Sequence, residues 1–373
     1  MRTTLLTIFT ASLLASSAGA FELDAHLDDS RWPPQESDAC SFENFMEDPG
    51  TTLKKATAGD ACSQYHLAQQ SKNQDNAEVW LRSAAKQNVA PAQYMLGKIL
   101  IKNGKDTEGR SFLFAAASNR HGAAANELGN LYRGKDDAES CRWFEVSAKS
   151  NNPSGQNNHG VCLLTSSLPD RLGLAAIHFD RSARQSNVTA EFNLAKAFEL
   201  EGSTAQAFQQ YRRAIDAGNT KAMIMLANNY WAGPEAILNL KQDQKEALKL
   251  YLRAAKAGDP EADFKVAQIY RLGADGIAKQ EEAAVKFLKS SSSLGYSRGS
   301  KALSEMYGTG WMIYRKKEVV DKATGKKELV IVAERVKPDQ RKALKTAALA
   351  EKQEITEAKN GSGNSNSTVY FCD

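Results

Sequence analysis

Small and apolar residues recur along the chain in one register, which returns eight times. The copy that starts at Gly258 has a small residue at Ala262. An apolar residue, Val266, and a second small residue, Ala267, follow it at helical spacing. The first small position holds Ser63, Ala92, Ala124, Gly155, Ala190, Ala222, Ala262 and Gly299. The second holds Ala68, Gly97, Gly129, Gly160, Ala195, Ala227, Ala267 and Ser304. A helix face made of such small residues predicts close packing against another helix.

A second helical pattern precedes most of these copies. It has an aromatic residue, usually followed by a pair of small residues such as Ala84-Ala85 or Ala254-Ala255. The aromatic residues are Trp80, Phe112, Trp143 with Phe144, Phe179, Tyr211, Tyr251 and Phe287. Because small residues facing a ring let two antiparallel helices approach closely, each copy predicts a two-helix hairpin. A single hairpin cannot bury both of its faces, so we predict an all-α solenoid of about eight helix-turn-helix repeats.

Two strand-like segments interrupt the last repeat. Residues 312–336 contain two runs rich in β-branched and aromatic residues on either side of a turn with Gly325, which predicts an inserted β-hairpin. From Pro338 onward the helical pattern returns, which predicts the second helix of the same repeat. At the other end, Asp48-Pro49 predicts the N-cap and first turn of the first helix.

The repeats resemble the Sel1-like repeat family, a relative of the tetratricopeptide repeat. The resemblance rests on residues Glu246-Ala247 to Ala255, on Gly258 to Tyr270, and on Gly273 with Gly276. It covers roughly residues 49–350. The departures are Asn88, Arg120, Asn151 and Ser186 in place of a turn glycine, and His159 in place of a core leucine. The resemblance implies a right-handed superhelix whose first helices line a concave face, and a role as an adaptor that holds other proteins.

The first twenty residues have the features of a signal peptide. Arg2 is followed by an apolar run, and Ala18-Gly19-Ala20 place small residues before a cut at Phe21. An uncleaved anchor is the alternative, although the apolar run is shorter than the roughly 18 residues that span a bilayer. We therefore predict an exported chain, periplasmic or secreted. Its segments would be the signal peptide at 1–20, an acidic segment at 21–48, the solenoid at 49–358 and a flexible tail at 359–373.

Composition narrows the class of protein only a little. The chain has 373 residues, of which 42% are hydrophobic, as in an ordinary folded protein. Its 48 Lys and Arg against 44 Asp and Glu give a net charge of +4. That charge is too small to indicate nucleic acid as the main partner.

The sequence offers little catalytic or metal chemistry. The five histidines have no metal-binding spacing, and the chain has no Cys-x-x-Cys motif, phosphate loop or Gly-x-Ser-x-Gly elbow. We expect no cofactor and no metal. His159 falls on a core face, where a packed or hydrogen-bonded histidine is a better interpretation than a ligand.

The cysteines predict two disulfides. Cys141 and Cys162 lie at equal distances from the turn at Asn151, on antiparallel helices, which brings them to the same height. In an oxidising compartment such a pair is expected to bond, with two buried free thiols as the alternative. Cys40 with Cys62 is a second, weaker pair near the N-terminus. Cys372 is then left free or available to another chain.

Polar residues on the first helix of each repeat predict a surface for a protein or peptide partner. They share the face opposite the Ala/Leu stripe, where amide groups could bond a partner's backbone. The predicted partner-binding residues are His66, Gln69, Lys98, Glu127, Asn130, Asn158, Asn193, Lys196, Met225, Asn228, Lys265 and Gln268. The alternative is that these are merely exposed helix positions. The basic hairpin at 312–336 could contact an anionic polymer or a membrane surface, or could be a solvated edge that blocks strand pairing.

From these patterns we predict an exported, non-enzymatic scaffold that binds a protein or peptide in the cell envelope. One alternative is a secreted factor that binds a host protein. Another is a hydrolase acting on the cell wall or on β-lactams, because some secreted, cysteine-rich relatives have been associated with that chemistry. Those relatives repeat a cysteine pair in most hairpins, which this sequence does not do.

Overall fold

The computed structural model describes residues 40, 48–71, 73–320 and 327–359, which form seventeen α-helices and one two-stranded sheet. The helices are α1 (Pro49–Thr57), α2 (Ala61–Gln70), α3 (Gln74–Lys86), α4 (Ala90–Lys102), α5 (Asp106–Ser118), α6 (Gly122–Tyr132), α7 (Asp137–Lys149), α8 (Pro153–Thr165), α9 (Arg171–Arg184), α10 (Val188–Glu201), α11 (Thr204–Asp216), α12 (Thr220–Ala232), α13 (Gln244–Lys256), α14 (Pro260–Leu272), α15 (Glu281–Ser293), α16 (Ser297–Thr309) and α17 (Gln340–Lys359). A short 3-10 helix, Gly233–Glu235, follows α12. None of these described helices is long and apolar enough to cross a membrane. The predictions for the signal peptide at 1–20, for most of the acidic segment and for the tail with Cys372 concern residues outside the described ranges.

The helices form eight stacked hairpins. After α1, each even-numbered helix packs against the odd-numbered helix that follows it, and each hairpin packs against the next. This confirms the predicted all-α solenoid of about eight repeats. Asp48 caps α1 as predicted, because its carboxylate accepts hydrogen bonds from the backbone N–H groups of Gly50 and Thr51.

The predicted β-hairpin is present in the eighth repeat, between α16 and α17. Strand β1 (Trp311–Val320) pairs antiparallel with β2 (Lys327–Val336). The register joins Trp311 to Val336 at one end and Val320 to Lys327 at the other. Helix α17 then returns to pack against α16, so the insertion leaves the helical hairpin intact.

The turn before each even-numbered helix has one left-handed residue in all eight copies. Four copies use glycine, at Gly59, Gly218, Gly258 and Gly295. The other four use the residues that replace glycine in the repeat pattern: Asn88, Arg120, Asn151 and Ser186, with φ of 62°, 60°, 53° and 65°. Non-glycine residues reach this conformation at a cost in free energy. The turn geometry is therefore set by the packing of the helices rather than by the residue that occupies it.

The core follows the stripes seen in the sequence. Leu96, Leu128 and Leu194 from even-numbered helices are at most 1% exposed. Phe144 and Phe179 from odd-numbered helices are at most 2% exposed. His159, which replaces a core leucine, packs edge-on against His178 with 4.7 Å between ring centroids. Burial lowers the pKa of His178 to about 3. The interpretation of His159 as a packed histidine therefore fits its surroundings.

Gly155 lies where α8 approaches α7, at a distance that leaves no room for a side chain. A Cβ at this position would lie 2.0 Å from the Ser147 Oγ and 2.4 Å from the Ser147 Cβ. The Ser147 hydroxyl donates a buried hydrogen bond of 2.7 Å to the Gly122 carbonyl, so it cannot turn away freely. We expect Gly155→Ala to lower the free energy of unfolding in urea by about 1–3 kcal/mol. Adding Ser147→Gly should recover part of that loss, and strictly additive losses would contradict the contact.

Candidate functional site

The even-numbered helices form the inner row of the solenoid. Besides their hairpin partners they contact one another, α6 with α8, α8 with α10 and α14 with α16. Contacts between odd-numbered helices are at most weak across the described residues. Helices on the inside of a curve lie closer together than those on the outside, so the even-numbered helices line the concave side. All twelve predicted partner-binding residues lie on this inner row.

Four of these twelve side chains are buried, which contradicts the prediction that they form part of an exposed surface. His66, Asn158 and Asn193 are at most 1% exposed, and Lys196 is 7% exposed. For Asn158, Asn193 and Lys196 the reason is the close packing of α6, α8 and α10, which covers the side chains that face along the row. His66 lies on α2 and is hydrogen-bonded to the backbone at Cys40. These residues belong to the interior of the solenoid.

An asparagine network accounts for two of the four. The Asn158 amide donates to the Asn126 side chain at 2.9 Å. The Asn157 amide donates to the Asn158 side chain at 3.3 Å, and the Asn193 amide to the Asn157 side chain at 2.8 Å. The network links α6, α8 and α10. A buried amide without a hydrogen-bond partner lowers the stability of the fold. A shift of one repeat against the next would break these bonds, so the network holds the three repeats in register.

Lys196 forms a buried ion pair within α10. Its ammonium group contacts the Glu199 carboxylate, and these side chains are only 9% and 3% exposed. The hydroxyl of Tyr211, on α11, donates to the other carboxylate oxygen of Glu199 at 2.5 Å. The Glu199 carboxylate therefore has a cation and a hydroxyl donor, both from within the chain.

The other predicted residues remain accessible to different degrees. Gln69 and Lys98 are exposed, and Glu127, Asn130, Met225, Asn228, Lys265 and Gln268 are half-buried. Lys98 lies 3.5 Å from Glu127 and so already has a charged partner on the next inner helix. The accessible residues lie on α2, α4 and α6 and on α12 and α14. The buried residues on α8 and α10 therefore divide the predicted surface into two parts.

Three of the accessible residues meet in one cavity. Asn228, Lys265 and Gln268 line a cavity of about 220 Å³ between α12, α13 and α14. Its other lining residues include Trp231 and Leu272. The side chain of Leu272 is 72% exposed, so it offers apolar surface at the edge of the cavity. The cavity therefore combines amide, cationic and apolar groups on the concave side. We call it the inner cavity.

Tyr251 orients the amide at the base of the inner cavity. Its hydroxyl donates to the Asn228 Oδ1 at 2.6 Å, which leaves the Nδ2 group of Asn228 as a donor. Tyr251 is 2% exposed, and burial raises the pKa of its hydroxyl, which therefore remains a donor at neutral pH. The arrangement can present an amide N–H group to a carbonyl oxygen of a bound chain.

Trp231 and Leu272 were missed by the sequence analysis. Trp231 follows Asn228 by three residues, and Leu272 follows Gln268 by four. Both spacings keep a side chain on the same helix face, so extending the predicted face by one turn would have found them.

Both predicted cysteine pairs lie at disulfide distance. Cys141 on α7 and Cys162 on α8 have Sγ atoms 2.05 Å apart and Cα atoms 5.8 Å apart. The Cα atoms of Cys40 and Cys62 are 5.1 Å apart, and their Sγ atoms are bonded. The first pair ties the third hairpin to the fourth, and the second ties the chain before α1 to α2.

The described residues offer no metal centre. No group of three or more His, Cys, Asp or Glu side chains within the described ranges could hold a metal ion. The lining of the inner cavity offers hydrogen bonds, one positive charge and apolar contact.

Comparison with known proteins gives a family and a fold. The Sel1 repeat family model matches residues 61–89, 90–110, 115–152, 220–259 and 260–296. A solved structure of c5321, described as a protective antigen of uropathogenic Escherichia coli with an SLR fold, is 22% identical, with a TM-score of 0.58. The match covers 85% of this chain and 67% of that one. A Sel1 repeat protein from Oxalobacter formigenes is 20% identical with a TM-score of 0.58, over 91% of this chain and 98% of that one. The search of curated proteins found no match.

Proposed function

The chain belongs to the Sel1 repeat family, and we propose that it is an exported, non-enzymatic scaffold that binds an extended segment of a protein partner on its concave side. The Sel1 repeat solenoid commonly mediates protein–protein interaction. The observation that supports this proposal best is the inner cavity, where three predicted partner-binding residues meet two accessible apolar side chains.

The inner cavity suits a peptide chain in extended conformation. The Asn228 and Gln268 amides can bond backbone groups of the partner, which recognises a chain without fixing its sequence. Leu272 and Trp231 can contact an apolar side chain, and Lys265 favours an acidic neighbour. We therefore propose a partner segment with an apolar residue next to an acidic one.

The proposed export is supported by the two disulfide-bonded cysteine pairs. Disulfides persist in oxidising compartments such as the periplasm or the extracellular space. Fractionation separates the two main alternatives, because an envelope scaffold should remain with the cells whereas a secreted factor should reach the medium or the host. A contact of the basic hairpin at 312–336 with an anionic polymer or membrane stays a prediction.

Crosslinked capture from the source cells, followed by identification of the partner by mass spectrometry, tests the binding site. Replacing Gln268 and Leu272 together by alanine is expected to weaken the affinity for that partner about tenfold, or about 1.4 kcal/mol. The reason is the loss of one amide contact and one apolar contact on the concave side.

A matched control replaces one glutamine and one leucine by alanine on the odd-numbered helices, which form the outer row. Gln209 on α11 and Leu174 on α9 are exposed, and their replacement by alanine should leave the affinity unchanged. Equal affinities of the two double variants would place the partner elsewhere. Turnover of a chromogenic β-lactam by the purified chain would instead favour the hydrolase alternative.

A further inference from the structure

A second cavity lies on the outer side of the solenoid, between α13 and α15. Its volume is about 570 Å³, within the range of ligand-binding pockets. Asp263 and Tyr270 of α14 line it, and they are seven residues apart on one helix face. That face is about 180° from Leu272 of the inner cavity at 100° per residue. The outer cavity is therefore separate from the site proposed above.

The cavity contains a buried carboxylate, Asp263, with one oxygen that accepts no hydrogen bond. Asp263 is 3% exposed, and its Oδ2 atom has no hydrogen-bond partner among the described residues. Burial raises the pKa of this carboxyl, and a hydrogen bond with Ser290 acts in the opposite direction. A buried acceptor without a partner is costly, so a donor that enters the cavity would gain a favourable contact.

Three other repeats show how an acceptor at this position can be satisfied from within the chain. Gln64, Gln93 and Gln156 occupy the same register on α2, α4 and α8. Each accepts a hydrogen bond from an amide of the following outer helix: from Gln87 at 3.0 Å, from Asn119 at 3.1 Å and from Gln185 at 2.8 Å, respectively.

The C-cap amide is missing at Asp263, which has only the Ser290 hydroxyl as a donor from α15. Gln87, Asn119 and Gln185 are each the C-cap residue of an outer helix. The C-cap residue of α15 is Leu294, which has no hydrogen-bonding group in its side chain and is 49% exposed. The second carboxylate oxygen of Asp263, Oδ2, therefore lacks the amide donor that these three repeats supply, and it is open to a group from outside.

The surroundings of Asp263 define the ligand. Lys256 and Lys286 are exposed and line the same cavity, so one negative charge lies at its base and two positive charges lie near the solvent. The rings of Tyr270 and Phe287 form an aromatic wall, with 5.9 Å between their centroids. Guanidinium groups stack on aromatic rings and donate to carboxylates in a planar geometry.

A neighbouring cavity of about 470 Å³ extends the site. It shares Gln280, Ala283 and Lys286 with the outer cavity and reaches Met312 at the start of β1. The two together form a cleft along α15 that is longer than a single amino acid.

We propose that this outer cleft binds a peptide segment that carries an arginine near an acidic residue. The arginine would stack on the aromatic wall of Tyr270 and Phe287 and donate to Asp263. The acidic residue would face Lys256 and Lys286, which hold the rest of the segment along α15.

Fluorescence anisotropy with a labelled Gly-Arg-Ala-Glu-Gly peptide and the full chain tests this proposal. We expect saturable binding that weakens at least tenfold when the peptide's arginine is replaced by glutamine. Asp263→Asn, which keeps the shape of the side chain, should weaken binding at least tenfold as well. Lys256→Gln with Lys286→Gln should weaken binding of this peptide but not of Gly-Arg-Ala-Gln-Gly.

A second variant, Leu294→Gln, tests the same site if Asp263→Asn perturbs the fold. It restores the amide found at the C-cap of α3 and α9, which can satisfy Asp263 from within. We expect this variant to bind the peptide at least tenfold more weakly without a lower melting temperature. The Gln268→Ala and Leu272→Ala variant should bind it as the unchanged chain does, which separates this site from the inner cavity. No saturable binding up to millimolar concentration, or equal affinity of the unchanged chain, Asp263→Asn and Leu294→Gln, would overturn the proposal.

Discussion

Replacement of Lys196 by alanine is expected to lower the free energy of unfolding by about 3–5 kcal/mol. The change would leave the Glu199 carboxylate, which is 3% exposed, without its cation. The Tyr211 hydroxyl would remain as a neutral donor and cannot balance a buried charge. Urea denaturation followed by far-ultraviolet circular dichroism measures the loss.

Lys98 supplies a matched control for this experiment. It has the same register on α4 that Lys196 has on α10, but its side chain is 52% exposed. Lys98→Ala should therefore change stability by no more than about 0.5 kcal/mol. Lys196→Met combined with Glu199→Leu removes both charges and should lose much less than Lys196→Ala alone. A loss as small for Lys196→Ala as for Lys98→Ala would contradict the buried pair.

Replacement of Cys141 and Cys162 together by alanine is expected to lower the free energy of unfolding by about 3 kcal/mol. The two cysteines are 21 residues apart, and their bond restricts the unfolded chain across the turn between α7 and α8. Urea denaturation under non-reducing conditions measures the loss.

A background without the other disulfide makes the result specific. With Cys40 and Cys62 replaced by alanine, reductant should reproduce the loss, and the variant lacking all four cysteines should not respond to it. Peptide mapping without reduction provides the direct check. Alkylation of both Cys141 and Cys162 in unfolded, unreduced protein would refute the pairing.

The repeat architecture could be predicted because each repeat carries its own local signals. Small residues at helical spacing and a turn recur in all eight repeats, and an aromatic residue recurs on the partner helix of seven of them. Arg120 and Ser186 show the limit of residue identity as a signal, since both adopt the left-handed turn conformation expected of glycine. The periodic contacts of a solenoid impose that conformation on them.

The accessibility of the inner row could not be predicted in the same way. Lys98 and Lys196 share a register in the repeat, yet one is exposed and the other is buried. The difference depends on how closely successive inner helices approach, and the spacing within one repeat carries no information about that distance. The outer cleft was missed because the sequence shows neither the cavity between α13 and α15 nor the unpartnered Oδ2 atom of Asp263.

The β-hairpin between α16 and α17 has a consequence for the order of folding. Residues 310–339 separate these two helices, whereas residues 103–105 separate α4 from α5. A flexible loop about ten times longer would raise the entropic cost of closure by about 2 kcal/mol. Pairing of Trp311 with Val336 holds the two ends of the insertion together, so α17 can dock on α16 without closure of the full loop. The hairpin thus replaces the closure of one long loop by the closure of a short one. We therefore expect β1, β2 and α17 to form and open as one cooperative unit at the end of the solenoid.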